Sequence, residues 1–256
     1  MNEINDNVAL VTGAARRIGR VIAEGLARDG WAVAVHYNTS TEEAIETVNH
    51  IEKENGKAVA FQADLADEGQ VADLVPAVVS ELGKVTCLIN NASIFEEDTV
   101  ASATRESWNA HVEVNLKAPF FLMQAMVANI GDDQKGNVIN LIDQRVHNLT
   151  PYFTSYTLSK AGLWTLTQTS AQSLAPHIRV NAIGPGPTLA SSRQSEEHFN
   201  RQWQATPLRI SVDPQEIYNA VRFILATPSM TGQMLTLDAG QHLGWSQPGQ
   251  STPSTE

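Results

Sequence analysis

Residues 140–160 read NLIDQRVHNLTPYFTSYTLSK, and three side chains in this stretch can hold or pass a proton. Tyr156 and Lys160 stand four positions apart, the spacing that puts two side chains on one face of a helix. A tyrosine alone reads as a packed helix residue; a lysine one turn later on the same face argues for chemistry. Asp143 closes the apolar run NVINLI, thirteen residues before the tyrosine. A carboxylate beside a phenol and an ammonium is suited to proton transfer, and the substrate must tolerate that acid.

These residues need elements to position them. Short β-branched runs alternate with segments of helical period. Strands are expected at Val8–Thr12, Trp31–His36, Ala58–Gln62, Val85–Asn90, Asn137–Ile142, Ile178–Ile183 and Met234–Leu237. Helices are expected at Arg16–Asp29, Thr41–Asn55, Asp67–Leu82, Trp108–Asn129, Tyr156–Leu174 and Pro214–Ala226. Strands that are apolar on both faces and separated by helices imply a doubly wound, Rossmann-like parallel sheet of about seven strands, with helices on both faces. In such sheets ligands bind beyond the carboxyl ends of the strands, where Asp143 stands.

The totals agree with one soluble domain. The chain has 256 residues, 42% hydrophobic and 18% charged, with no linker-like composition break. Residues 1–245 are read as that domain, and the polar, proline-containing stretch 246–256 as a flexible tail. No apolar run approaches the roughly 20 residues of a membrane span, and the first residues are too polar for a secretory signal, so a cytoplasmic address is expected. The single Cys87 sits in an apolar run and reads as a small buried hydrophobe; no metal is expected. A net charge of −11 argues against nucleic acid as a partner. An anionic ligand must then be held by local cations or backbone amides.

The first strand is followed by TGAARRIGR, residues 12–20. Gly13 permits a tight turn, Gly19 lets helix and strand approach, and the free amides at the helix start can hold a pyrophosphate. Arg16, Arg17 and Arg20 put three cations there, and Arg17 is expected to contact the anion. The second strand ends in HYNTS, with no acid before Glu42. An acid at that point would hydrogen-bond the ribose 2′-hydroxyl of NAD and repel a 2′-phosphate. His36, Asn38, Thr39 and Ser40 instead offer hydrogen bonds to a phosphate, which favours NADP(H). Asp64 and Leu65, past the third strand, are candidates to seat the adenine, although an aspartate there also reads as a helix cap.

Taken together, TGAARRIG, the DL pair at 64, NNAS at 90–93, Asn115, YTLSK at 156–160 and IRVNAIGPGP at 178–187 resemble the short-chain dehydrogenase/reductase family over almost the whole chain. The resemblance implies hydride transfer from a nicotinamide in a dimer or tetramer. It implies Tyr156 as proton donor, Lys160 as the group that holds the nicotinamide ribose and lowers the tyrosine pKa, and Asn115 as support for a proton-relay water. It also implies that the cofactor lies against Gly13, Arg16, Arg17, Ile18, Gly19, Tyr37, Asn91, Ala92, Ser93, Pro185, Gly186 and Thr188.

Most of that family has a serine where Asp143 stands. Carbonyl reduction builds negative charge on oxygen, and a carboxylate about 4 Å away raises its energy by roughly 4 kcal/mol at an effective dielectric near 20. A ring nitrogen behaves differently, because reducing C=N requires a proton on nitrogen, which a carboxyl group can help supply. The pteridine reductases, with the related bacterial dihydromonapterin and dihydrofolate reductases, are similar to this chain in the arginine-containing turn, the HY pair at 36 and 37, NNAS, and the Asp, Tyr, Lys set. That similarity implies a pterin stacked on Phe95 and contacted by Ser93 and Arg17, in a homotetramer. It departs at Thr39, where protozoan members carry an arginine. Glu96, Glu97 and Asp98 are expected to make the cleft mouth acidic. Residues 187–207 are expected to form a substrate lid, with Phe199 and Trp203 either lining the pocket or packing in an amphipathic helix. The five tryptophans otherwise read as core or interface residues. Reduction of a ketone or 3-oxoacyl thioester, and a silent NADP-binding sensor, remain as alternatives.

Overall fold

A computed structural model describes residues 7–131, 134–191 and 193–244. The expected tail at 246–256 lies outside the described residues, as do residues 1–6 and Trp245. The strands are β1 (Val8–Val11), β2 (Ala32–Tyr37), β3 (Lys57–Gln62), β4 (Val85–Asn90), β5 (Gly136–Leu141), β6 (Ile178–Pro185) and β7 (Met234–Leu237). They form one parallel sheet in the order β3-β2-β1-β4-β5-β6-β7.

The helices are α1 (Arg17–Arg28), α2 (Thr41–Lys53), α3 (Glu68–Leu82), α4 (Arg105–Val112), α5 (Ala118–Ile130), α6 (Thr154–Ser173), α7 (Glu196–Gln204) and α8 (Pro214–Ala226). Period-two alternation distributes β1 between two cores. Ala9 and Val11 pack with Ile22 and Leu26 of α1 and Ile217 and Ile224 of α8, whereas Val8 and Leu10 pack with Leu74 of α3 and Leu122 and Met126 of α5. Both faces are covered, which is why β1 and β4 are buried at every position. Each fully buried leucine or isoleucine contributes about 1.5–3 kcal/mol. Cys87 belongs to the first core, and burial pushes its thiol up to about 12, consistent with a small hydrophobe.

Two expectations change. The helix expected over Trp108–Asn129 starts earlier, where Thr104 and Ser107 form a capping box, and it is interrupted by a π-helical turn at Glu113–Lys117. That turn carries Asn115; such bulges insert one residue and redirect side chains. The tryptophans divide: Trp31 and Trp164 pack against the cores as expected, whereas Trp108 is 44% exposed and Trp203 is only partly covered. No helix among the described residues is long and apolar enough to cross a membrane. The strand order reverses between β1 and β4, so the crossovers diverge there and open a crevice at the carboxyl ends.

Candidate active site

The turn after β1 is built for close approach. Gly13 has φ +63°, and a Cβ on Gly19 would lie 2.2 Å from the Gly13 carbonyl oxygen. Asn91 clamps the turn, donating from Nδ2 to the carbonyls of Thr12 (2.8 Å) and Gly13 (3.1 Å). The hydroxyl of Thr12 accepts from the amides of Asn91 and Ala92 at 2.9 and 3.0 Å. No side chain caps α1 at Arg16, so its leading amides are available to an anion.

His36 does not offer the phosphate contact expected of it. It is 2% exposed, its Nδ1 accepts from the Gly13 amide at 3.0 Å, and Nε2 faces the Ala63 carbonyl at 3.1 Å. An amide only donates, so Nδ1 is bare and Nε2 carries the hydrogen. Burial pushes the imidazole down to about 4 and keeps it neutral. His36 is a strut between the turn and the end of β3.

Past β2, Asn38 is exposed and Ser40 half-buried, and Tyr37 packs partly against the first core. Asp64 accepts from the Ala66 amide at 2.9 Å and from Asn38 Nδ2 at 3.4 Å, while Leu65 is 5% exposed and packs in the second core. The cap of α3 is Asp67, not Asp64. Of the three turn arginines, Arg20 pairs with Glu24 at 2.7 Å and Arg16 lies 3.9 Å from Glu43. Arg17 alone lines the cleft, at φ +57°, and donates to the lid carbonyls of Ala190 (2.8 Å) and Leu189 (3.1 Å).

The cleft is about 260 Å³ and brings together Arg17, Ser93, Phe95, Asp143, Tyr156 and Lys160. Asp143 follows β5 and is fixed by its own turn: Oδ1 accepts from the Arg145 amide at 2.7 Å. Its Oδ2 accepts from the Tyr156 hydroxyl at 2.8 Å. Lys160 donates to the Leu141 carbonyl at 2.8 Å, and its Nζ lies 5.8 Å from the Tyr156 ring centroid. Burial pushes the ammonium down to about 8. The expected lowering of the tyrosine pKa is not found: burial first, then the Asp143 charge, holds the phenol well above its ordinary value. The phenol therefore stays protonated and can donate.

Aromatic residues form one wall. Phe95 stacks on the buried Phe153 with centroids 4.4 Å apart and meets Tyr156 edge-on at 4.6 Å. Two guanidiniums flank the pair: Arg145 lies 4.9 Å from the Phe153 centroid, and Arg193 lies 5.1 Å from that of Phe95. The motif reading missed Phe153, Arg145, Arg193 and His111; a second aromatic near the tyrosine was the available signal. The expected acidic mouth is largely neutralised, because Glu96 pairs with Arg193 and Asp98 is 4% exposed beneath α6. Asn115 holds the Ile94 backbone through Oδ1 (2.8 Å) and Nδ2 (2.9 Å) and donates to the Ser159 hydroxyl at 3.1 Å. The lid contributes Thr188, Leu189, Ser191, Gln194 and, from α7, Phe199 and Gln202, whereas Trp203 bonds Asn200 on its own helix. Pro185 and Gly186 complete the rim.

Comparison with known proteins gives this geometry a context. The chain is 46% identical to the FolM alternative dihydrofolate reductase 1 of Brucella canis, solved with NADP, with a TM-score of 0.92 over 97% of this chain and 98% of that one. The Brucella suis counterpart, also with NADP, is 47% identical at a TM-score of 0.92, over 96% and 99% of the two chains. A curated relative, the 3-oxoacyl-[acyl-carrier-protein] reductase FabG of Staphylococcus epidermidis, is 32% identical over 92% of this chain and 98% of its own. The likeness to these reductases thus runs along nearly the full length of the chain, and residues 7–201 match the family described as short chain dehydrogenase: the chain belongs to that family.

Proposed function

We propose that the protein reduces a pterin-like substrate, a pteridine, dihydropteridine or dihydrofolate, with NADPH. The observation that carries this reading is the 2.8 Å hydrogen bond from the Tyr156 phenol to Asp143 inside the cleft. NADPH, when bound, supplies the hydride. The chain supplies the rest. The Gly13–Gly19 turn, the leading amides of α1, Arg16 and Arg17 would hold the phosphates; Asn38 and Ser40 stand at the adenosine end. Asn91, Ala92, Ser93, Lys160, Pro185, Gly186 and Thr188 would hold the nicotinamide half. Tyr156 delivers its proton to a ring nitrogen, and Asp143 stabilises the positive charge that gathers as nitrogen is protonated. Phe95 presents the stacking face, braced from behind by Phe153.

The similarity to two FolM dihydrofolate reductases supports this reading. The FabG relatives favour a second one, reduction of a 3-oxoacyl thioester. NADPH oxidation measured side by side with dihydrobiopterin, dihydrofolate and an acetoacetyl thioester separates them; turnover of the thioester alone refutes the pterin assignment.

A homotetramer is part of the proposal. Phe120, Phe121 and Val127 of α5 and Leu158 of α6 are 39–50% exposed, and such apolar side chains are what an interface between subunits would cover. Light scattering on the purified protein reads the mass directly, and a monomer refutes this part.

A further inference from the structure

Behind Tyr156 runs a chain of buried polar groups that the reaction scheme leaves unused. Helix α6 begins without an acceptor of its own, since its cap position is Phe153, at φ +58°. Asp98, from the loop after β4, supplies one. Its Oδ1 accepts from the Ser155 amide at 3.0 Å and its main-chain carbonyl from the Thr154 amide at 3.3 Å. Its Oδ2 accepts from the hydroxyls of Ser155 and, at 3.3 Å, Ser107. The Ser155 hydroxyl also lies 2.6 Å from Nδ1 of His111, whose Nε2 accepts from the Glu96 amide at 3.0 Å. An amide can only donate, so Nε2 is bare, Nδ1 carries the hydrogen, and donation runs one way: Glu96 amide, His111, Ser155, Asp98. All three side chains are at most 4% exposed.

We propose that Asp98, His111 and Ser155 are positioning residues that lock the Tyr156 phenol against Phe95 for the reaction. This rests on the reading of Tyr156 as the proton donor. Two members of the chain are the sequence neighbours of the two rings: Ser155 precedes Tyr156, and Glu96 follows Phe95. The His111 ring itself meets the Tyr156 ring at 6.0 Å. A donor displaced by about 1 Å can cost roughly a hundredfold in rate, so a rigid tie between these rings has kinetic value. The tie also has a pH limit. Protonating His111 would set an N–H on Nε2 against the Glu96 N–H and break the chain. The imidazole faces the carboxylates of Asp98 and Glu96, the Arg193 guanidinium, the Ser107 carbonyl and the Tyr156 ring; burial leads, and its pKa lies below the ordinary value.

The test compares the full-length Ser155→Ala, His111→Gln and Tyr156→Phe variants for kcat, NADPH affinity and pH profile. Ser155→Ala is expected to lower kcat about a hundredfold with NADPH affinity changed less than about twofold. Glutamine at 111 keeps the acceptor for Glu96 and removes the titrating ring, so the acid limb of kcat should vanish, while Ser155→Ala should retain it. Equal losses in kcat and NADPH affinity with an unchanged pH profile would mean a merely structural role and overturn the proposal. If Ser155→Ala does not fold, the His111→Gln profile decides: an acid limb identical to the parent's also overturns it. Full activity in Tyr156→Phe would instead remove the reading beneath it, whereas an inactive Tyr156→Phe beside a fully active Ser155→Ala sinks only this inference.

Discussion

Replacing Asp143 by asparagine tests the electrostatic core of the proposed function. The single amide oxygen keeps the bond from the Arg145 amide, now 2.7 Å from Oδ1, and the amide nitrogen then faces the Tyr156 hydroxyl, now 2.8 Å from Oδ2, and donates to it; the charge is removed and the shape of the side chain is kept. A substrate atom receiving the phenol's proton at hydrogen-bond distance would sit about 4–5 Å from that carboxylate. At an effective dielectric near 20 the interaction is about 3–4 kcal/mol, a few hundredfold to a thousandfold in rate. Its sign depends on the substrate. An alkoxide forming at that point is destabilised by the carboxylate, and a ring nitrogen taking up a proton is stabilised. Asp143→Asn should therefore move the ratio of kcat/KM for an acetoacetyl thioester over dihydrobiopterin toward the thioester by about two powers of ten, after allowance for solvent in the cleft. Loss of NADPH absorbance with each substrate measures it. If both activities fall together and the ratio moves less than about threefold, the acid serves only its turn and the reasoning is wrong.

Phe95→Ala should raise KM for the pterin about tenfold, the worth of one aromatic stack, and leave NADPH affinity unchanged. It should also lower the melting temperature, because Phe153 loses the ring 4.4 Å away; parallel losses of pterin and NADPH binding would assign Phe95 to packing alone. Lys160, pushed down to about 8 from an ordinary 10.5, should lose its proton and its hold on the ribose as pH rises, so NADPH affinity, read by fluorescence titration, should fall above about pH 8. The same shift means the unfolded chain binds the extra proton between about 8 and 10.5, so this group makes the protein gain stability across that window, and a flat affinity profile refutes the assignment. His36→Ala should weaken NADPH and NADH by similar factors, since the imidazole holds the Gly13 amide rather than a phosphate; a selective loss of NADPH would contradict the strut.

How much of this was legible in the sequence depends on how local each signal is. The sheet was, because each buried strand and each amphipathic helix writes its period into consecutive residues, and parallel strands separated by helices admit few topologies. The π-helical turn at Glu113–Lys117 was not. Nothing in EVNLK breaks a helix; the extra residue is set by what the turn packs against, with Asn115 bonded to Ile94 and Ser159. His36 shows the converse error. A polar residue at a strand end reads as a ligand, but whether its nitrogens face solvent or backbone is decided by two neighbouring segments, one reaching it from Gly13 and one from Ala63.

The same reasoning explains which site residues escaped notice. Tyr156, Lys160 and Asp143 were found because helix period and a strand end fix their geometry from a few adjacent positions. Arg193 and Glu96 are 97 positions apart, and Asp98 and Ser155 are 57 apart. A run of acids such as Glu96, Glu97, Asp98 reads as a negative rim until those partners are known, and its chemistry then reverses: one carboxylate is matched by a guanidinium, and another is buried as a helix cap. That matters for the substrate. An unmatched acidic rim would repel an anionic glutamate tail, whereas the Arg193–Glu96 pair offers a cation at the mouth whenever a competing carboxylate takes the place of Glu96. The panel of dihydrobiopterin against dihydrofolate therefore has a definite expectation: Arg193→Ala should raise KM for dihydrofolate more than for dihydrobiopterin, and equal effects on both would confine Arg193 to bracing Phe95.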